Sequence, residues 1–348
     1  MNTRLTDLRR AALSAGLSMT VFLLLTALFF FAIGREPMAM LLAIGKSALG
    51  DGYSISESLL RTTPILLCAL ATMVPARLGL ISVGAEGQLC LGALVGTGIV
   101  LTFPNGSMPM LMPAVLLAGA VGGALWSLLP ALLRTVARVN ETISTLLLNY
   151  VAALLLTWLV YGAWRDPQSQ GWPASMPFPE AARLPNLWDS RVHAGLLLAL
   201  AAAVLLHLLF TRTRWGMTLD VLRSGPRAGQ AAGLNLSRQI LITMLVGGAL
   251  AGLAGIAETG AVQGRLQAGF SNGAGLSGFL VAWLARNHAL RAVGLAFVVG
   301  ALLAAGDGLQ MSAGIASSAT LVVQGLLFVA VLGVGGWRTR QGGSHVGR

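Results

Sequence analysis

Long runs of hydrophobic residues dominate the chain, and short segments rich in arginine and glycine separate them. A helix needs about 20 mostly apolar residues to cross the hydrocarbon layer of a membrane. The pattern therefore predicts an all-α fold, a polytopic transmembrane helix bundle with about ten spans. The expected spans are residues 11–33, 60–76, 86–103, 109–133, 142–161, 193–211, 240–262, 274–286, 291–306 and 318–336.

Three of these assignments have alternatives. The run 274–286 is short for a full crossing, so a re-entrant segment over 270–286 is the alternative to a span. Glycines and Pro75 interrupt the pattern near 77–88, which allows a second re-entrant segment there. The run 11–33 exceeds the roughly 7–15-residue hydrophobic core of a signal peptide, so we interpret it as the first span.

Charge supports a membrane protein and indicates its orientation. Only 10% of the residues are charged, against about 25% in soluble domains. With the N-terminus in the cytoplasm, 16 of the 23 lysine and arginine residues fall on the cytoplasmic side, which predicts that both termini are cytoplasmic. The loop 162–192 is then outside, and the basic loop 212–239 is inside. No basic stripe is interleaved with aromatic residues, so the net charge of +11 does not indicate a nucleic-acid partner.

Signatures of catalysis are missing from the sequence. Lys46 is the only lysine, and it lacks the glycine spacing of a phosphate-binding loop. Cys68 and Cys90 both lie inside hydrophobic runs, and the four histidines are scattered along the chain. These residues form no metal-ligand pattern. We therefore expect no enzyme, no metal and no cofactor.

Polar residues inside hydrophobic runs are the first candidates for function, because burying them in a bilayer is costly. Residues 77–88 contain three glycines together with Glu86 and Gln88. A helix broken here would expose backbone groups, which are tolerated only inside protein or beside a water-filled path. Glu86 has two structural alternatives: pairing with Arg77, or capping the helix that follows it.

A second polar cluster begins at Asn140. Asn140 is a favourable N-cap and Glu141 falls in the first helical turn, which is the structural interpretation of both residues. Ser144 and Thr145 can donate to carbonyl oxygens of their own helix. Asn149 lies two turns into the predicted span, so its amide needs a partner on another helix or on a polar substrate.

The basic loop 212–239 contains signals for a short helix. Ser224 or Gly225 can cap it, Pro226 suits its first turn, and Gly233 suits its end. Arg227 lies at the positive end of the helix dipole, which is locally unfavourable. An acidic surface on a partner protein would explain it; the alternative is a solvated basic loop.

These stretches combine with two further segments into a recognisable set: GLISVGAEGQ (79–88), VNETISTLLLNYVA (139–152), LRSGPRAGQAAGLN (222–235), GGALAGLAGIAE (247–258) and residues 273–310. Together they resemble the permease subunits of bacterial ABC importers for simple sugars, nucleosides and branched-chain amino acids. The pattern at 140–149 is most similar to the larger permease of the nucleoside subgroup. The resemblance covers roughly residues 58–335 and implies a single permease domain over 1–348.

The resemblance also implies partners: a second, related permease forming a heterodimer, a cytosolic ABC ATPase subunit and an extracytoplasmic substrate-binding protein. The complex would lie in the bacterial inner membrane and import a small-molecule substrate. Polar residues expected along the substrate path are Glu86, Gln88, Glu141 and Asn149. Residues expected in the coupling helix that contacts the ATPase are Arg223, Ser224, Gly225, Pro226, Arg227, Ala228, Ala231 and Gly233.

Three alternatives remain at this stage. The substrate could be a branched-chain amino acid or a sugar in place of a nucleoside. The chain could be a stand-alone secondary transporter or channel, although Glu86, Glu141, Glu258 and Asp307 all fall near predicted span ends. An intramembrane enzyme is the third alternative, and it lacks a nucleophile and base.

Overall fold

The computed structural model describes residues 2–169, 171–187, 190–316 and 318–342. Within these ranges the fold is helical, without a β-strand, as the sequence predicts. A 3-10 turn spans Glu180–Ala182, and a π-helix spans Glu258–Gln263. The α-helices are α1 (Asn2–Ala32), α2 (Pro37–Leu49), α3 (Gly52–Arg77), α4 (Ala85–Thr102), α5 (Met108–Thr135), α6 (Glu141–Tyr161), α7 (Gly195–Arg212), α8 (Arg214–Ser224), α9 (Pro226–Ala231), α10 (Leu236–Ala257), α11 (Ala274–Leu284), α12 (Ala289–Ala313) and α13 (Ser318–Gly342).

Each of the ten hydrophobic runs coincides with a helix, but the helices differ in length. Seven described helices are long and apolar enough to cross a membrane, and an eighth candidate is the pair α1 and α2, which is bent by 118°. Helix α11 has only 11 residues, about 17 Å at 1.5 Å per residue. The multi-pass helical architecture is therefore confirmed, whereas the count of ten spans stays a prediction.

The chain divides into two compact units, one drawn from Met1–Ser58 and Val299–Arg348, the other from Leu59–Val298. In the first unit, α1 packs against α13 and α2. A small alanine cluster formed by Ala48, Ala301 and Ala305 is buried there. The second unit contains every residue that the sequence nominated for function.

The second unit is built around α4, α5 and α10, which pack closely through glycines. Gly92 of α4 faces Gly252 of α10, and Gly119 and Gly123 of α5 lie against Gly248 and Gly252. A side chain on Gly252 would meet the carbonyl oxygen of Gly119, and one on Gly92 would meet the backbone of Gly252. Glycines four residues apart, as in Gly119/Gly123 and Gly248/Gly252, let helix backbones approach closely in lipid. We call this contact the glycine seam.

Candidate functional site

The chain leaves the helical conformation between α3 and α4, over residues 78–84. Gly79 has a φ of +89°, a left-handed conformation that glycine adopts without strain. Gly84 then forms the N-cap of α4. The predicted break in this stretch is confirmed, and we call residues 78–84 the broken segment.

Two side chains of α6 bond the backbone at the far end of the broken segment and in the first turn of α4. Asn149 accepts a hydrogen bond from the Gly87 N–H at 2.8 Å and donates one to the Val83 carbonyl at 2.8 Å. The Thr145 hydroxyl accepts from the Val83 N–H at 3.2 Å. Asn149 and Thr145 are both buried. The partner that the amide of Asn149 requires is therefore backbone on another part of the chain.

One turn earlier, α6 bonds the near end of the broken segment. Glu141 accepts from the Ile81 N–H at 3.3 Å, and the Thr142 hydroxyl donates to the Ile81 carbonyl at 2.9 Å. The second carboxylate oxygen of Glu141 pairs with Arg134 at 3.2 Å. Asn140 caps the helix as predicted, accepting from the Thr142 N–H at 2.8 Å. The polar face of α6 thus replaces the helical hydrogen bonds that the broken segment lacks.

Glu86 joins two helices that are far apart in sequence. The Gly275 N–H, in the first turn of α11, donates to its carboxylate at 2.7 Å. The Ser271 hydroxyl donates to the other carboxylate oxygen. The carboxylate therefore lies at the positive end of the α11 dipole, where a negative charge is favoured.

Of the two sequence-based alternatives for Glu86, the pairing with Arg77 is wrong, whereas its place in the first turn of the following helix, α4, is confirmed. Arg77 does not pair with it, because the Arg77 guanidinium binds Asp220 at 2.8 Å. The hydrogen bonds of its carboxylate, however, go to Ser271 and to Gly275 of α11. Close approach of α11 is possible because Gly275 has no side chain: a Cβ there would overlap the backbone and carboxylate of Glu86.

Two polar groups beside the broken segment have hydrogen-bonding capacity that the described residues do not use. The Gln88 side chain is 4% exposed; the described part of the chain shows no bond to its amide. The buried indole N–H of Trp126 also has no partner among the described residues, and it approaches Gly87. Gln88 was nominated from the sequence. Trp126 was missed, since an aromatic residue inside a hydrophobic run gives no signal.

The basic loop contains two helices. The predicted short helix is present as α9, with Gly225 as its N-cap, Pro226 at its start and a left-handed Gly233 after it. Helix α8 was not predicted, because Gly216 and the charged residues obscure its periodicity. Its Leu219 and Leu222 are buried, and Leu222 packs on α9 at Gly229.

Helix α8 also contacts the end of α3 and the broken segment. Its Asp220 forms the ion pair with Arg77, and the Arg223 side chain passes beside Gly79. On α9, the side chain of Arg227 is exposed. Ser224, Ala228 and Ala231, which the sequence predicts to be coupling residues, are exposed on the same two helices. Side-chain contacts therefore connect α8 directly to the end of α3 and to the broken segment.

Outside the helices, described residues of the loop 162–192 bond to backbone elsewhere in the second unit and to one another. Short backbone bridges join Ala174 to Gln267 and Asn186 to His193. His193 is 1% exposed, and its Nδ1 accepts from the Gly195 N–H at 3.1 Å. Burial lowers the pKa of His193 from 6.5 to about 4, because the protein interior disfavours the charged imidazolium. Among the described residues, no group of three or more His, Cys, Asp or Glu side chains could hold a metal ion.

The fold is typical of membrane transporters. It has several membrane-spanning helices, the broken segment, the short helix α11 and polar side chains that bond the exposed backbone. Comparison with known protein families identifies the kind of transporter. The family described as branched-chain amino acid transport system / permease component matches residues 54–332. The chain belongs to this family of ABC transporter permeases, and the resemblance drawn from its sequence is confirmed.

Three curated relatives cover most of the chain. The glucose ABC transporter permease protein TsgB13 of Haloferax volcanii is 35% identical over 86% of this chain and 82% of its own length. The guanosine ABC transporter permease protein NupP of Bacillus subtilis is 28% identical over 88% of each chain. The nucleoside ABC transporter permease protein NupB of Lactococcus lactis is 30% identical over 76% of this chain and 75% of its own.

Proposed function

We propose that the chain forms the substrate path of an ATP-driven importer for nucleosides or related simple sugars. The observation that carries this proposal is the meeting of the broken segment, α6 and the start of α11 around Glu86. Non-helical backbone at membrane depth is tolerated where it is enclosed by protein or lines a water-filled path. A path for a neutral substrate needs hydrogen-bonding groups more than fixed charges, and the available groups are Gln88 and the Trp126 indole.

The four path residues divide into two roles under this proposal. Glu141 and Asn149 use their polar atoms to hold the broken segment, so they position the path. Gln88 has an unused amide next to the same backbone, so it is the residue that contacts substrate directly. Glu86 holds the start of α11 against α4 and so also positions the path.

Energy would come from a separate cytosolic ABC ATPase, so the chain itself is not an enzyme. Helices α8 and α9, over Arg214–Ser224 and Pro226–Ala231, form the coupling element that docks on it. The exposed Arg227 supports an acidic docking surface on the ATPase. The Arg77–Asp220 ion pair supports transmission from the docking surface to the broken segment.

The remaining parts of the proposal are a second, related permease chain, an extracytoplasmic binding protein and residence in a bacterial inner membrane. About ten spans with both termini cytoplasmic agree with the arginine distribution. In this topology α11 crosses only the inner part of the bilayer, and residues 264–273 descend from the outer side to meet it. A single permease domain over 1–348 is supported by the family match, which extends from 54 to 332.

Uptake by the purified complex in liposomes tests the function. We expect ATP-dependent accumulation of guanosine or glucose that needs the ATPase and the binding protein, with competition from other nucleosides or sugars and none from isoleucine. Accumulation by the chain alone would indicate a secondary transporter or channel. Competition by isoleucine alone would assign a branched-chain amino acid as the substrate.

Coupling is tested by Arg227→Glu, with Arg238→Glu as the matched control, because both arginines are exposed in the same basic loop but Arg238 lies outside α9. We expect Arg227→Glu to abolish uptake while ATP hydrolysis continues. Arg238→Glu should retain uptake. Equal uptake in the two variants would contradict the docking role of α9.

A further inference from the structure

The outer end of α10 continues into a π-helix over Glu258–Gln263. Such π turns are rare and occur often at functional sites. The wider turn brings side chains five residues apart onto one side. As a result, the Gln263 amide donates to a carboxylate oxygen of Glu258 at 3.4 Å.

Two more side chains extend this contact towards the outer surface. The Gln267 side-chain amide donates to Oε1 of Gln263 at 2.6 Å, and the Trp172 indole N–H donates to Oε1 of Gln267 at 3.2 Å. Every donor in this series points towards Glu258. We call the four residues the outer relay; it runs from the exposed ring of Trp172 in the loop 162–192 to a carboxylate in the interior.

The carboxylate at the inner end of the relay is only half satisfied. Glu258 is 3% exposed. Its second oxygen, Oε2, accepts no hydrogen bond from any described residue. A buried acceptor without a donor is costly, so such an oxygen in a native protein usually has a partner in the working state.

The chemistry of the relay indicates that partner. A carboxylate, two neutral amides and an exposed tryptophan ring are suited to a neutral ring that carries hydroxyl groups, because hydroxyls donate to carboxylate oxygens and ring faces pack on indole. We infer that Glu258 Oε2 accepts a hydrogen bond from a ring hydroxyl of the substrate as it enters from the outer side. This inference rests on the proposed function and adds the contact residue at the mouth of the path.

The test compares substrates with and without the hydroxyl group. Uptake by the whole reconstituted transporter is measured for guanosine and its 2′-deoxy and 3′-deoxy analogues, or for glucose and its deoxy analogues, with wild type, Glu258→Gln and Glu258→Leu. For each substrate the rate is divided by the wild-type rate, so the preference of the binding protein cancels. Glu180→Gln is the control, because it removes the same charge from an exposed position in the outer loop.

We expect Glu258→Leu to slow uptake of the hydroxylated substrate about tenfold or more, the effect of losing one charge-assisted hydrogen bond. Uptake of one deoxy analogue should be nearly unchanged. The uptake rate with Glu258→Gln should lie between those of wild type and Glu258→Leu. The glutamine variant replaces the leucine variant in the test if the latter does not fold. Equal slowing of all substrates would show a purely structural Glu258 and overturn the inference. If the wild-type transporter takes up neither guanosine nor glucose, the proposed function is wrong, and that result is distinct from equal slowing of all substrates by the Glu258 variants.

Discussion

Replacing Asn149 by leucine tests whether α6 holds the broken segment. Leucine has a similar size but no hydrogen-bonding group, so the Gly87 N–H and the Val83 carbonyl both lose their partner. Interhelical side-chain bonds in membrane proteins contribute about 0.6–2 kcal/mol each, and a buried backbone group left unpaired costs about 1–3 kcal/mol. For two bonds we expect the free energy of unfolding to fall by about 2–4 kcal/mol.

The assay is unfolding of the purified protein in mixed micelles, combined with hydrogen exchange of the backbone amides. The amides of Val83 and Gly87 should exchange faster in Asn149→Leu, because the bonds that protect them are lost or loosened. Thr145→Val should show a smaller effect, confined to the Val83 amide. Thr157→Val is the matched control: Thr157 donates to a carbonyl of α6 as Thr145 does, but it is only partly buried and bonds no other described segment.

One result would refute the reasoning. If Asn149→Leu lost uptake but kept the stability and exchange protection of wild type, Asn149 would act on the substrate and not on the broken segment. The opposite result, lost protection with a proportional loss of uptake, would confirm that its role is to position the path.

Two further predictions concern stability. Gly252→Ala should lower the free energy of unfolding by about 1–3 kcal/mol, since its methyl group would meet backbone of α5 across the glycine seam; Gly294→Ala, with no atom within 4 Å of the added group, should be neutral or slightly stabilising. Burial lowers the pKa of His193 from 6.5 to about 4. The neutral imidazole therefore adds its full contribution to the free energy of unfolding above about pH 6.5, and this contribution is lost as the pH falls towards 4. That loss is about 3 kcal/mol. His193→Gln should make the free energy of unfolding depend less on pH between 4 and 6.5. The same pH dependence as in wild type would contradict the burial of His193 in its neutral form.

Local features of this protein could be predicted from the sequence because each depends on a few adjacent residues. Pro75 and Gly79 predict the broken segment, and Asn140 predicts the start of α6. Gly225 and Gly233 predict the start and the end of α9. In each case the backbone preference of the residue type determines the outcome, and tertiary contacts do not reverse it.

Other features depend on which distant segments meet, and the sequence contains no local signal for that. Glu86 bonds Ser271 and Gly275 across at least 185 residues. A carboxylate at a helix start has its own helix dipole as the default partner, so the sequence alone does not indicate α11. The π-helix after Ala257 mixes polar and apolar residues as many helix ends do, so nothing in it distinguishes the wider turn from continued α-helix.

The bonds from α6 to the broken segment also have a consequence for biosynthesis. The bonds from Glu141 and Thr142 to Ile81 connect residues 60 and 61 positions apart. The ribosome therefore completes α3 and α4 well before it makes the side chains that satisfy the backbone between them. Since unpaired peptide groups are not tolerated in lipid, the nascent hairpin has to wait beside the insertion machinery or in a shallow, hydrated position. Release of α3 and α4 into the bilayer should then coincide with the emergence of α6.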